Sequence, residues 1–114
     1  MNIAETVNEL EERLNAYLSE MKIEMLEYTP YIVEVGALTV GTDNNGVVIL
    51  QNKNFPTQFS EKAVKILCSM KFSNGNNELV QPKVYTRHEW YSAQIEHIKS
   101  ALDALGKLAP LFRL

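Results

Sequence analysis

Few side chains in this sequence have the chemistry of a catalytic or metal-binding centre. The two histidines, His88 and His97, lie on one predicted helix. Their spacing turns them about 180° apart, which prevents them from sharing a metal ion. His88 falls in the first turn, where a neutral imidazole can bind an anion, although a surface residue beside a helix cap is the simpler interpretation. Cys68 falls late in another predicted helix, far from the helix start that would activate a thiol. We therefore expect Cys68 to be buried and unreactive.

Carboxylates and glycines give no stronger signal. Residues 43–46 begin like a calcium loop, but two of the later ligand positions hold Val47 and Asn54. The glutamates of the N-terminal helix are not followed by the Glu-x-x-His motif of a di-metal site. Motifs for phosphate binding, dinucleotide binding, serine hydrolysis and zinc proteolysis do not occur in the sequence. The sequence therefore predicts no cofactor, no metal site and no enzymatic activity.

Basic residues offer a binding surface instead. If the second predicted helix lies beside the third predicted strand, the lysines of the helix and of the strand form one basic face. Such a face is expected to bind nucleic acid weakly and in a salt-dependent manner. A smaller cluster at the start of the last helix combines bases with aromatic rings, which can hold a phosphate or stack a nucleobase. That cluster comprises Tyr85, Arg87, His88, Trp90 and Tyr91. The nucleic-acid surface is assigned to Lys62, Lys65, Lys83 and Arg87, with Lys53 and Lys71 nearby.

Composition limits the class of protein. The chain has 114 residues, of which 46% are hydrophobic and 22% charged, so it is long enough for one folded domain and too apolar to be disordered. Its net charge of −3 argues against a general nucleic-acid coat protein. A single cysteine excludes an internal disulfide, and no stretch has the features of a signal peptide or membrane span. We expect a cytoplasmic, bacterial protein without membrane contact.

Two long helices are predicted to dominate the fold. The first covers residues 2–27, with Asn2 and Glu5 forming a capping box. The last covers 87–107, begins at a capping box of Thr86 and Glu89, and is expected to end at Gly106 and Pro110, with the apolar tail 111–114 docking. Each helix carries apolar residues spaced alternately four and three apart, as in a heptad seam. The seam of the last helix is Tyr91, Ile95, Ile98, Leu102, Leu105 and Ala109.

The segments between the helices predict a small sheet. Residues 31–41 and 46–51 are expected to form a hairpin (31–51) joined by a type I′ turn at Asn45-Gly46, with Gly36 marking a bulge or a close helix approach. A helix follows over 60–70, with Cys68 and Met70 toward the core. Residues 73–77 form a loop, and 79–86 form a strand that Pro82 restricts to an edge. The order is α-β-β-α-β-α in a single α+β domain spanning 1–114.

The first helical seam suggests the function. Seam residues can join two copies of the chain, for which a two-fold dimer is the default, or receive a helix from another protein. Antiparallel pairing of the first and last helices within one chain explains the same pattern equally well. The leading hypothesis is a non-enzymatic interaction protein, and the alternative is a nucleic-acid-binding accessory protein. The residues assigned to partner binding are Ile3, Val7, Leu10, Leu14, Tyr17 and Met21.

Overall fold

The computed structural model describes residues 2–23, 30–73 and 75–112, and side chains as far as Gly106. The chain is mixed helix and strand, which confirms the α+β class. It forms two compact units, one of Met1–Glu24 with His88–Leu114 and one of Met25–Arg87. The elements in chain order are α1 (Ile3–Lys22), β1 (Tyr31–Val35), β2 (Leu38–Thr42), β3 (Val48–Gln51), α2 (Glu61–Ser69), β4 (Phe72–Ser73), β5 (Leu79–Val80), β6 (Lys83–Thr86) and α3 (Arg87–Phe112).

The first helix begins as predicted and ends earlier than predicted. The Oδ1 of Asn2 accepts a hydrogen bond from the Glu5 N–H at 2.8 Å, which satisfies a donor that the helix start leaves without a helical partner. At the other end Ile23 is extended, with φ −73° and ψ 124°, and its N–H donates to the Glu20 carbonyl. The predicted end at residue 27 is therefore wrong, because the backbone leaves helical geometry at Ile23. Residues 24–29 lie outside the described chain.

The last helix begins at Arg87 as predicted but continues past its expected stop signals. It passes through Gly106 and carries Pro110 in its last turn before ending at Phe112. A single glycine costs a helix only about 1 kcal/mol, so Gly106 alone does not end it. Pro110 has no backbone N–H to donate to the carbonyl four residues earlier, so the last turn continues with one hydrogen bond fewer. The expected docking of 111–114 falls outside the described side chains.

Four antiparallel strands form the main sheet in the order β3-β2-β1-β6. The predicted strand 31–41 is two strands, because the chain reverses at Gly36-Ala37 between the paired residues Val35 and Leu38. Gly36 has φ +62°, as the first central residue of a type II′ turn requires, so the expectation of a bulge or helix approach there was wrong.

The second hairpin lies where it was predicted, but its turn differs. The Gly46 N–H donates to the Asp43 carbonyl at 3.1 Å, and the Asp43 N–H donates to the Val47 carbonyl at 2.9 Å. The Asp43 carboxylate also accepts from the N–H groups of Asn45 and Val47. Gly46 has φ +78° and Asn45 does not have a positive φ. This is a type I turn closed by a glycine bulge, and the predicted type I′ turn was wrong.

Proline divides the predicted strand 79–86 into two strands that belong to different sheets. Before Pro82, β5 pairs with β4 in a two-stranded ribbon, so Ser73, predicted to lie in a loop, is part of a strand. After Pro82, β6 pairs with β1 and forms an edge of the main sheet, which confirms the edge assignment. Because proline cannot donate to a ladder, the chain changes partner at this residue.

A compact apolar cluster joins α2 to one face of the sheet. Leu67 packs with Val33, Val35 and Val40, all of which are buried. Partly buried side chains surround this cluster: Val48, Phe59, Val64, Phe72 and Val80. Side chains alternate along a strand, so Ile32 lies on the opposite face of β1, and it too is fully buried. Both faces of β1 therefore carry core residues.

The predicted helix 60–70 exists, but its buried stripe is narrower than expected. Ser60 caps it by accepting the Ala63 N–H at 3.1 Å. Of the residues predicted to face the core, Leu67 is buried while Cys68 and Met70 are exposed. The prediction that Cys68 is buried was wrong, because the helix contacts the sheet cluster through the stripe of Val64 and Leu67.

The burial of Leu67 leads to a stability prediction. Leu67→Ala is expected to lower the free energy of unfolding by about 2–5 kcal/mol, since it leaves a cavity against the sheet valines. Ile66→Ala removes the neighbouring side chain, which is 59% exposed, and is expected to cost less than about 0.5 kcal/mol. Urea unfolding followed by circular dichroism measures both. Equal losses in the two variants would contradict this account of the core.

Candidate functional site

Tyr17 is the one residue of the α1 seam that is buried, with 3% of its surface exposed. Its ring contacts two rings from α3, Trp90 at a centroid distance of 6.0 Å and 82°, and Tyr91 at 5.6 Å and 58°. Trp90 and Tyr91 are themselves edge to face at 5.1 Å. Such tilted and edge-to-face pairs add to the free energy of burial. The structure therefore places this seam position inside the helical unit.

The remainder of the α1 seam is only partly covered. Ile3, Val7, Leu10, Leu14 and Met21 are each half-buried. Leu18, which borders the seam, is 37% exposed. By contrast, α3 buries Ile95 and Ile98 of its own seam, in addition to Tyr91. Further along α3, Leu102 and Leu105 are half-buried, and the side chain of Ala109 is not among those described. In α1 an apolar stripe thus keeps contact with solvent along most of its length.

The structure divides the predicted aromatic and basic cluster at the start of α3 into buried and exposed residues. Trp90 and Tyr91 are buried with Tyr17 and present no free ring face for a nucleobase. Arg87 is buried as well, with 9% exposure, whereas His88 is exposed. Packing accounts for the adjacent aromatic residues Trp90 and Tyr91, because both rings contact Tyr17 of α1.

The predicted basic face is not a single surface. Lys62, Lys65 and Lys83 are exposed, but Arg87 is buried, which corrects its assignment. Lys65 lies 3.9 Å from Glu61 across one helical turn, an exposed ion pair of little energetic value.

Lys83 belongs to a different side of the sheet from the α2 lysines. It pairs in register with Glu34, whose side chain lies on the face of β1 opposite Val33 and Val35. Because α2 packs over those valines, Lys62 and Lys65 lie on the other side of the sheet from Lys83. The structure thus does not bring the predicted nucleic-acid-binding residues together.

A surface depression of about 210 Å³ lies where α2 ends beside the β4–β5 ribbon. Its lining includes Cys68, Met70, Lys71, Phe72, Leu79 and Val80. Leu79 is 67% exposed and Met70 40% exposed, so the depression is an open apolar surface. Among the described residues that line it, none is a histidine or a carboxylate that could activate the thiol.

The described part of the chain gives no sign of a metal or membrane site. Across residues 2–23, 30–73 and 75–112, no group of three or more histidine, cysteine or acidic side chains is placed to hold a metal ion. Within the same ranges, no helix combines the length and apolarity needed to cross a bilayer.

Comparison with known proteins gives no functional lead. No family model, no curated protein and no solved structure matches this chain. Its function must therefore be argued from its own residues.

The exposed thiol can be tested directly. Cys68 in the folded protein is expected to react with a disulfide reagent such as Ellman's reagent at a rate close to that of the urea-unfolded chain, because the side chain is exposed. Absorbance of the released thiolate measures the rate. Labelling only after denaturant is added would show that the thiol is buried.

Tyr17 is expected to make stability depend on alkaline pH. Burial raises the pKa of its hydroxyl above the ordinary value of 10.0, and the charge of Arg13 opposes this rise to a smaller extent. Between the two pKa values the unfolded chain loses this proton while the folded chain keeps it. The contribution of Tyr17 is therefore complete below about pH 10 and is lost as the pH rises toward the folded-state pKa.

Tyr17→Phe removes this titration and provides the comparison. The difference in unfolding free energy between the natural chain and Tyr17→Phe should move in favour of the variant as the pH is raised from about 8 to 11. Urea titrations at each pH measure it, and all other ionisable groups are common to both proteins. A difference that stays constant over this range would contradict the assigned burial of the hydroxyl.

Proposed function

We propose that this chain is a non-enzymatic assembly protein, cytoplasmic and bacterial, which forms a homodimer through α1. The observation that supports the proposal is the partial burial of the α1 seam, where Tyr17 is buried and the five other seam residues keep solvent contact. A heptad seam is the pattern by which one helix packs along another. A second helix laid on this stripe would complete its burial.

The order of the seam residues favours a second copy of the same helix. The seam is symmetric about residue 12: Leu10 and Leu14 lie two residues on either side, Val7 and Tyr17 five, and Ile3 and Met21 nine. In an antiparallel pair related by a two-fold axis at this point, Leu10 faces Leu14 of the other copy. Each of the two central leucines, both half-buried in one chain, is therefore covered by a leucine of the other chain.

Charge also favours the antiparallel arrangement. The first half of α1 carries four acidic residues, whereas the second half carries two bases and one acid and is net positive by one. Antiparallel pairing places the acidic half beside the positive half, while parallel pairing would place four glutamates beside four glutamates. Opposed helix dipoles favour the same arrangement. The four acidic residues are Glu5, Glu9, Glu11 and Glu12.

The proposal predicts the mass in solution. By light scattering the natural chain is expected at 26 kDa, twice the 13.0 kDa of one chain, or at a whole multiple of 26 kDa where a further interface joins these dimers. Leu10→Glu combined with Leu14→Glu is expected to halve this mass while circular dichroism stays helical, because each new carboxylate faces a carboxylate of the other copy at the centre of the paired seam. A folded variant of unchanged mass would show that the seam is internal core.

A matched control uses two exposed positions of the same helix. Asn8→Glu combined with Asn15→Glu introduces the same two charges at residues that are exposed in the structure. This variant is expected to keep the mass of the natural chain. A natural chain of 13.0 kDa at every concentration would overturn the homodimer.

A further inference from the structure

The two edges of the main sheet are protected to different extents. At one edge, β6 follows Pro82 and begins with Lys83, two features that discourage another strand from pairing there. At the other edge, β3 reads Val48-Ile49-Leu50-Gln51, without a proline or a charge. Leu50 is 37% exposed, and Val47, immediately before the strand, is 56% exposed. An apolar edge of this kind accepts a further strand unless it is covered or interrupted.

The hairpin fixes which backbone groups of β3 point outward. The Asp43 N–H bonds to the Val47 carbonyl, and hydrogen-bonded pairs in an antiparallel ladder recur at every second residue. With the observed register, Gly41 and Ile49 form the next bonded pair, and Thr39 and Gln51 the one after. The N–H and C=O groups of Val48 and Leu50 therefore point away from β2, toward the open edge.

We propose that β3 pairs edge to edge with β3 of a second copy, antiparallel, about a two-fold axis at Ile49. In this register Leu50 lies opposite Val48 of the other copy, and each such pair exchanges two backbone hydrogen bonds. The two symmetric pairs give four bonds between the chains and join two four-stranded sheets into one of eight strands.

The side chains of β3 fit the same partner. Val48 and Leu50 lie on one face of the strand, the face that Val40 shares through its pairing with Leu50. Edge pairing therefore places Leu50 beside Val48 of the other copy on the apolar side of the sheet, where cross-strand contacts between such residues are favourable. A second copy is the occupant that this register favours, because β3 turned about the two-fold axis presents both its outward backbone groups and its apolar Val48 and Leu50 to those of the first copy.

This interface is separate from the proposed pairing of α1. A chain with two independent two-fold interfaces forms a tetramer when the two axes close, and a filament when they do not. The two proposals can therefore fail independently, and variants confined to one surface separate them.

Proline substitutions at the two edges provide the test. Leu50→Pro removes an N–H that points away from β2. The hydrogen bonds between β2 and β3 do not use this N–H, so the fold should persist. It is expected to halve the mass measured by light scattering. Val84→Pro is the control, because Val84 is similarly exposed, at 40% against 37% for Leu50. Its N–H also points outward, since the Arg87 N–H bonds to the Pro30 carbonyl and sets residues 83 and 85 as the bonded positions. This variant is expected to keep the mass of the natural chain.

A second pair of variants and one direct measurement keep the β3 interface testable if the proline variants do not fold. Leu50→Lys and Val84→Lys place one charge at each edge and should reproduce the contrast. Hydrogen exchange in the natural chain should show the Val48 and Leu50 amides protected as the Ile49 amide is, with this protection falling on dilution. A folded Leu50→Pro of unchanged mass, or rapid exchange at Leu50 in concentrated protein, would overturn the β3 interface. Loss of mass in Leu10→Glu with Leu14→Glu but not in Leu50→Pro would support α1 pairing and reject β3 pairing.

Discussion

The sheet unit depends on the burial of three valines beneath Leu67. Val33, Val35 and Val40 lie on two adjacent strands of five residues each, which would be only marginally stable as an isolated hairpin in water. Leu67 covers them from a helix of nine residues. So short a helix can cover only part of a sheet, and it leaves the outer edge at Leu50 exposed. The exposed edge of the sheet is thus a direct consequence of the short length of α2.

The same constraint acts on the helical unit through aromatic rings. Most of the stability of a helix in a protein comes from tertiary packing, and α1 gains it through the contacts of Tyr17 with the rings of Trp90 and Tyr91. One buried ring is a small share of a seam of six apolar residues. The half-buried leucines on either side of it are the kind of surface that further association removes from water.

The sequence predicted most elements where a local signal acts alone, and failed where two signals competed. Asn2 and Ser60 cap their helices as expected, because a side-chain oxygen three residues before a backbone N–H needs no tertiary context. Gly36 was misread because a glycine within a β-branched run is compatible with both a bulge and a turn, and only the pairing of Val35 with Leu38 decides between them. The end of α1 at Ile23 was missed because no glycine or proline adjoins this residue in the sequence.

Prediction of the site was limited by a different ambiguity. Apolar residues at heptad spacing are required equally by a core and by an interface, so the sequence could not assign Tyr17 and Leu10 to different environments. Exposure separates them, because one is buried against two rings and the other keeps solvent contact. The β3 edge was hidden for a related reason: a continuous apolar run predicts cover on both faces but says nothing about which backbone groups lack a neighbouring strand. Backbone direction depends on register, and register is set here by the Asp43 turn. The Asp43 N–H donates to the Val47 carbonyl and its carboxylate accepts from the Val47 N–H, which fixes the first bonded pair. A single loop residue thereby determines which groups of the sheet are available to another chain.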